Sequence, residues 1–327
     1  MRAKLSIIMN KLSFYFITAL LAILLFSCEK DEETKIPPPR PFDEQYARDL
    51  DSIENYLKTH TFTVVDVDNR IDVVIDTFIV GNAEGKVSIW DNTQYPLKWK
   101  DVKTDSRASN LVNGASADST TYRMYYFIIN EGGGNQATRF DSTFVSYRGW
   151  RLDNTQFDIN NSPIWATFPR ITNEEVTLIS GFRQFTSLLK SAESFSVGSN
   201  GAVTFNNYGV GVVFLPSGLG YFNSSQFNIP SYSPLVFTVR LHSLRERDHD
   251  RDGILSKFEN GNNEENLYIV DSDGDNIPDF LDIDDDNDRT RTLLEITNPV
   301  TNQPFAFGEI PTCPGKTIKK HLDPSCQ

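Results

Sequence analysis

Between Asp248 and Asp288 the chain carries fifteen carboxylates against two cations, Arg251 and Lys257, a local balance of −13 that equals the formal charge of all 327 residues. Carboxylates at alternate positions can surround a hard divalent cation with oxygen. Asp248, Asp250, Asp252, the Ile254 carbonyl, Ser256 (through a water) and Glu259 fall at positions 1, 3, 5, 7, 9 and 12 of a twelve-residue loop, and Gly253 supplies the sharp turn at position 6. A second run offers Asp271, Asp273, Asp275, Ile277, Asp279, Asp282, Asp284, Asp286 and Asp288. Without a cation these side chains repel one another and the segment is loose; with one they close into a compact spacer. A solvated acidic linker is the alternative. His249 is expected to be exposed rather than a ligand. The rest of the chain is neutral in sum and has no basic face for phosphates, so nucleic acid is excluded as a partner.

The first run matches the spacing of an EF-hand loop, and the second resembles the Asp repeats of thrombospondin type 3 modules. Both resemblances imply Ca²⁺ as a structural cofactor. The flanks depart from the EF-hand pattern, because Leu235 to Leu244 reads as a strand and no helix precedes the loop.

Three phrases lie upstream: V-S-Y-R-G-W-R-L-D-N-T-Q-F-D from Val145 to Asp158, L-P-S-G-L-G-Y from Leu215 to Tyr221, and I-P-S-Y-S-P-L-V-F-T-V-R-L from Ile229 to Leu241. In this order they resemble the FKBP family of peptidyl-prolyl cis-trans isomerases, over about Tyr122 to Leu244. The resemblance implies an α+β fold, an antiparallel half-barrel sheet wrapped around one short helix, and rotation of X-Pro bonds in proline-containing polypeptide clients. Such a catalyst needs no cofactor, only a dry apolar pocket that eases the amide out of plane against its roughly 18–20 kcal/mol barrier. By the same resemblance Tyr147 and Phe157 line the pocket beside Asp158, Ile179 offers a backbone N–H, and Phe182 forms the floor. Tyr221 points its hydroxyl at the substrate carbonyl, while Ile229 and Phe237 close the far wall. A role in the ordinary core is the competing reading of Phe237.

The sequence departs from the family pattern at several points. Phe182 stands where the family usually has Trp, and Phe222 where a glycine follows the loop tyrosine. Asp158 and Leu178 are separated by 19 residues, in or near which Ile164 or Trp165 is a candidate pocket wall. A retired isomerase fold that only binds peptides or partner proteins is the alternative function.

The elements that must position these residues follow from periodicity. Phe42 to His60 reads as a helix with Tyr46, Leu50, Ile53 and Leu57 on one stripe. Phe62 to Val80 reads as two strands, Lys86 to Trp90 as a third, and Thr121 to Ile129 as another. The glycines 132–134 form a turn, Leu178 to Lys190 is the one central helix, and Leu235 to Leu241 alternates as a half-buried final strand.

At the N-terminus, Arg2, Lys4 and Lys11 precede an apolar run from Phe14 to Phe26, the pattern of a secretory signal. The run ends in L-F-S-C, which resembles a bacterial lipoprotein box, so residues 1–27 are expected to be removed and Cys28 lipidated, anchoring the chain at the outer membrane. Glu29 to Glu33 is a surface-export tag or a solvated tether, leaving the side of the membrane open. Cys313 and Cys326 remain as an even pair in an oxidising compartment, where they can form a disulfide. The expected organisation is leader 1–27, Pro-rich tether 28–41, helix and β-rich segment 42–118, isomerase-like domain 119–244, calcium-binding segment 245–290 and tail 291–327.

Overall fold

The structure, a computed structural model, describes residues 38–68, 70–77, 86–105, 118–261 and 267–326. The leader, Cys28 and the tether up to residue 37 lie outside the described residues. Arg40 to Gln327 forms one compact unit, and Pro38 and Pro39, which fall outside it, are exposed. Among the described residues no helix is long and apolar enough to cross a membrane.

Helix α1 (Phe42–Thr59) begins after Pro41, with Asp43 and Glu44 in its first turn and Lys58 in its last, charges that complement the helix dipole. Strands β1 (His60–Val67) and β2 (Arg70–Thr77) form a hairpin. Then follow β3 (Lys98–Lys103), β4 (Thr121–Asn130), β5 (Ser142–Arg151), β6 (Gln156–Ala166), helix α2 (Ser180–Thr186), the small hairpin β7 (Ser194–Val197) and β8 (Val203–Asn206), β9 (Gly209–Leu215) and β10 (Leu235–Arg245). Six of these strands make one antiparallel sheet in the order β3-β4-β9-β10-β5-β6, so the α+β fold class expected from the sequence is present.

Both faces of the sheet are covered. On one, Phe182 and Phe185 of α2 and Leu189 just beyond it pack on Tyr122, Met124, Val145, Val213, Leu215, Phe237, Val239 and Leu241. On the other, Ile53, Tyr56 and Leu57 of α1, with Phe62 and Val73 of the hairpin, pack on Tyr125, Phe127, Trp150, Val212, Phe214 and Val236. Strand β9, G-V-G-V-V-F-L, is buried at every residue, as a strand walled on two sides must be.

This double covering corrects three sequence expectations. Strand β10 is buried on both faces through His242 rather than half-buried, because α1 and the hairpin occupy its second side. Lys86 to Trp90 is a turn instead of a strand: the Asp91 N–H donates to Ser88 Oγ (3.1 Å), while the Ile89 and Trp90 N–H groups donate to His60 and Leu57 carbonyls and lower Ile89 into the outer core. The strand of that region is β3, K-W-K-D-V-K, an edge whose charged alternation hides it from a hydrophobicity reading. The central helix is also shorter than expected. The Leu188 and Leu189 N–H groups turn back to Phe185 and Thr186 carbonyls and end it there.

Arg240, 1% exposed on the second face of β10, is matched by Asp72 from the hairpin at 2.8 Å, and Thr238 Oγ1 donates to the same carboxylate at 3.0 Å. Removing Asp72 strands a buried guanidinium. Asp72→Ala should cost about 3–5 kcal/mol of unfolding free energy, whereas Arg48→Ala, which breaks an exposed pair with Glu44, should cost under about 1 kcal/mol; urea melts of the two variants check the contrast.

His242 lies among the rings of Phe144, Phe205 and Tyr208, its Nε2 2.9 Å from Ser146 Oγ. Burial, with the Arg240 charge beside it, holds the imidazole down at about 4. The folded state thus prefers neutral His242, and the stability it retains above pH 6.5 is lost as pH falls towards 4. Relative to His242→Gln, the protein should lose about 2 kcal/mol between pH 7.5 and 5 in chemical denaturation.

Candidate functional site

An aromatic cavity of about 390 Å³ opens between α2 and the concave face of the sheet, lined among others by Tyr147, Phe157, Asp158, Ile179, Phe182, Tyr221 and Phe237. Seven of the eight residues expected at the pocket therefore come together, although they arise from β5, β6, α2, β10 and the loop after β9. Ile229 is the exception. It is buried in the concave core without lining the cavity.

The walls are set edge to face. Phe237 meets Phe182, Phe157 and Tyr147 at centroid separations of 5.4, 5.4 and 6.1 Å, and Tyr147 meets Phe182 at 5.4 Å, all T-shaped. Phe182, 2% exposed, is the floor. Gly149 makes the arrangement possible: a Cβ there would lie 2.6 Å from Phe157 and 2.8 Å from Phe237.

The polar groups fall at the rim. Tyr147 donates to Asp158 Oδ2 at 2.8 Å. Burial and that carboxylate push the Tyr147 phenol well above its ordinary range, so it stays protonated. Tyr221, 37% exposed, is raised by burial and then by Asp158, and its hydroxyl donates to no described residue. The Ile179 N–H, at the residue preceding α2, has no acceptor among the described residues. Two donors thus stand free at the opening of the aromatic cavity.

The Tyr221 loop is held from behind. Asp49 of α1 accepts from Ser217 N–H (2.7 Å) and Oγ (2.6 Å), and Gln45 donates to its other oxygen (2.6 Å). Phe222 takes the left-handed backbone, φ 49°, that a glycine would favour, while its ring stacks on Phe42 at 4.4 Å. The longer connection after β6 contributes Phe168, Arg170, Thr177 and Leu178 to the wall. Neither Trp165, which stacks on Phe144, nor Ile164, part of the core, fills that place. Phe168 was not singled out by the sequence, and Arg183 lies over its ring at 3.7 Å.

The acidic residues fold into three loops with one internal pattern: 248–259, 271–282 and 284–295. The residue at position 9 of each, Ser256, Asp279 or Thr292, donates its N–H to the carbonyl just before the loop, on Arg247, Val270 or Ile283. Its side chain accepts the N–H at position 2, from His249 (3.1 Å), Ser272 (2.8 Å) or Asp285 (3.2 Å). Positions 4 and 6 are left-handed in all three: Arg251 and Gly253, Gly274 and Asn276, Asn287 and Arg289. Ser256 and Asp279, expected as ligands, also close their loops in this way. His249 is buried rather than exposed, because its ring lies between Ser256 and the aromatic rings of Phe140 and Phe280.

Carboxylate oxygens gather within 4.8 Å in four groups: Asp248, Asp250 and Asp252; Asp252, Glu259 and Asp285; Asp271, Asp273 and Asp275; Asp284, Asp286 and Asp288. Many of those oxygens are buried with no hydrogen-bond donor, including both of Glu259, and so are both of Glu295, which lies outside the four groups. Burial together with neighbouring carboxylates pushes Glu259 up to about 12, Asp285 to about 10, Asp250 to about 9 and Glu295 to about 8. An all-oxygen set of this kind fits a hard divalent cation, for which position 7 adds a carbonyl. The Ile254 and Ile277 carbonyls stand at that position. Glu295 and Asp285 escaped the sequence reading; the signal was the repeated eleven-residue step from first to last acid, Asp248–Glu259, Asp271–Asp282, Asp284–Glu295. Behind the loops, Cys313 and Cys326 are disulfide-bonded, with Cα atoms 5.8 Å apart.

Among known proteins, the family model described as BamM C-terminal matches residues 249–320, the acidic loops and the tail. No curated protein matches the chain. Similar solved structures include a peptidyl-prolyl cis-trans isomerase from Pseudomonas syringae pv. tomato, at 16% identity and TM-score 0.29 over 44% of this chain and 86% of that one. FkpA from Escherichia coli gives 21% and 0.29, over 40% of this chain and 52% of FkpA, so the match spans about half of that protein. The N-terminal domain of FKBP42 from Arabidopsis thaliana gives 18% and 0.29, over 45% and 100%. Likeness at this level does not define an activity.

The raised carboxyls make a measurable statement about cation binding. Burial and mutual repulsion make Glu259, Asp285 and Asp250 hold protons more tightly in the cation-free protein than ordinary carboxyls do, and ligation favours the ionised form, so divalent cation should expel a net number of protons. Calorimetric titration at pH 7 in buffers of different ionisation enthalpy reads that count; uptake of protons, or none moved, would contradict it.

Proposed function

We propose that the aromatic cavity receives a prolyl ring and that the protein is a peptidyl-prolyl cis-trans isomerase acting on extracytoplasmic polypeptides. The observation that carries this reading is the meeting of Tyr147, Phe157, Phe182 and Phe237 around an open apolar cavity whose rim holds unspent donors. X-Pro rotation passes through a twisted amide that has lost its resonance and much of its dipole. A dry aromatic wall disfavours the planar, well-solvated amide more than the twisted one, and a donor fixed near the carbonyl holds the peptide while the bond turns. Tyr221 Oη and the Ile179 N–H are suited to that task. Asp158 occupies the Tyr147 hydroxyl as its acceptor. No covalent step is involved.

In the same reading the acidic loops bind Ca²⁺, whose preference for six to eight oxygens at flexible geometry suits carboxylate-rich twelve-residue loops. The supports are the buried, donorless oxygens and the repeated loop pattern. Cys28, carrying lipid, would tether the protein to the outer membrane facing the periplasm or the cell surface; the support there is the N-terminal sequence alone.

Catalysis is tested with proline-containing peptides such as Leu-Pro or Phe-Pro in an exchange or protease-coupled assay. Tyr221→Phe should lower kcat/KM roughly tenfold, the worth of one hydrogen bond made mainly in the transition state. Phe157→Ala should lower it further by opening the wall to water. Gly149→Ala should weaken peptide binding itself by forcing both rings inward. Peptide bound with unchanged affinity but never accelerated would make the protein a peptide-binding relative of the isomerases.

A further inference from the structure

Resting on the cation-binding reading but going beyond it, we propose that Asp284–Glu295 is a complete cation site closed by Glu295, and that it lends Asp285 to the first loop so that the two sites fill together. In this loop Asp284, Asp286 and Asp288 occupy positions 1, 3 and 5 with oxygens within 4.8 Å of one another. The Thr290 carbonyl stands at position 7, where Ile254 stands in the first loop. Glu295, 4% exposed, has both carboxylate oxygens buried and without a donor, and it lies within electrostatic reach of Asp286, Asp288 and Asp284. Buried carboxylate oxygens with no hydrogen-bond donor call for another partner. A cation held by these four side chains supplies one.

Asp285 points the other way. Its side chain is buried, with Oδ1 unpartnered, and its carboxylate falls within 4.8 Å of Asp252 and Glu259 of the first loop. Glu259, 6% exposed, also has both oxygens unpartnered. The main chain of Asp285 is nevertheless fixed by the closure of its own loop, where its N–H donates to Thr292 Oγ1 at 3.2 Å. A cation that tightens Asp284–Glu295 thereby sets the last ligand of the first site, and a cation in the first site orders Asp285 and the loop it belongs to. The coupling is reciprocal because both ions act on one backbone segment.

The test is Ca²⁺ titration of the chelator-stripped full chain, following stoichiometry and affinity by calorimetry. Glu295→Gln should remove one bound cation and weaken binding at the first loop at least tenfold. Asp285→Asn, a nearly isosteric change, should preserve the number of cations, weaken the first site and abolish the coupling. Glu44→Gln, on the exposed surface of α1, should leave the first site's affinity unchanged. The proposal is overturned if Glu295→Gln binds as many cations as the unaltered protein, or if Asp285→Asn leaves the first site unchanged. No binding by the unaltered protein would overturn the cation reading as a whole, a distinct result.

Discussion

The constraint on which the molecule depends is that its central sheet is walled on both faces. Aromatic side chains on the concave face of β5 and β10 would ordinarily collapse onto one another. Here the backbone beneath them is fixed from the far side by α1 and the β1–β2 hairpin, with the Asp72 carboxylate locking Arg240 and Thr238 across the interface. A sheet held in that way can keep a cavity open, since closing it would require moving strands already packed at close to crystal density on their other surface. The short helix α2 then needs to cover only part of the concave face, and the uncovered part is the cavity.

The same helix α1 reaches the functional rim by a second route. Its buried Asp49 holds Ser217, which sets the turn that presents Tyr221, and Phe42 stacks on Phe222 just beyond. Burial raises the Asp49 carboxyl, while the two Ser217 hydrogen bonds and Gln45 pull it back. Helix α1 thus helps to fix both the sheet and the loop. A half-barrel with a bare outer face would have to spend hydrophobic surface on water at Tyr125, Phe127, Phe214 and Val236, and the sequence of β9 shows that it does not.

Much of the cavity was legible through the family resemblance that three short phrases carry, which implied its lining residues one by one, and not through periodicity or composition. The outer layer was not. Strand β3 is an edge, K-W-K-D-V-K, whose single buried residue Val102 gives no periodic signal, and the 86–90 turn looks like a strand until its carbonyl partners on α1 and at the start of β1 are known. Phe168 escaped for a different reason: it lies in an irregular connection, and only tertiary structure brings it under Arg183 and beside the cavity. In the acidic segment the candidate ligands were visible as composition, but the division into three loops depended on position-9 residues that close the backbone, which the spacing of acids alone does not distinguish.

Phe168 also marks where the two halves of the chemistry meet. It lines the aromatic cavity and belongs to the cluster with Phe140, Leu267, Tyr268 and Phe280, the last of these within the middle acidic loop. Arg183 of α2, over the Phe168 ring, is held by Asp105, whose carboxyl burial would raise but Arg183 and Arg139 hold below its usual range. Arg247, just before the first loop, pairs with Glu175 in the connection that supplies Thr177 and Leu178 to the wall. The acidic loops are thus packed against the cavity's variable wall through rings and ion pairs. Through these contacts the wall of Phe168 is the part of the cavity positioned by the acidic loops as well as by the sheet.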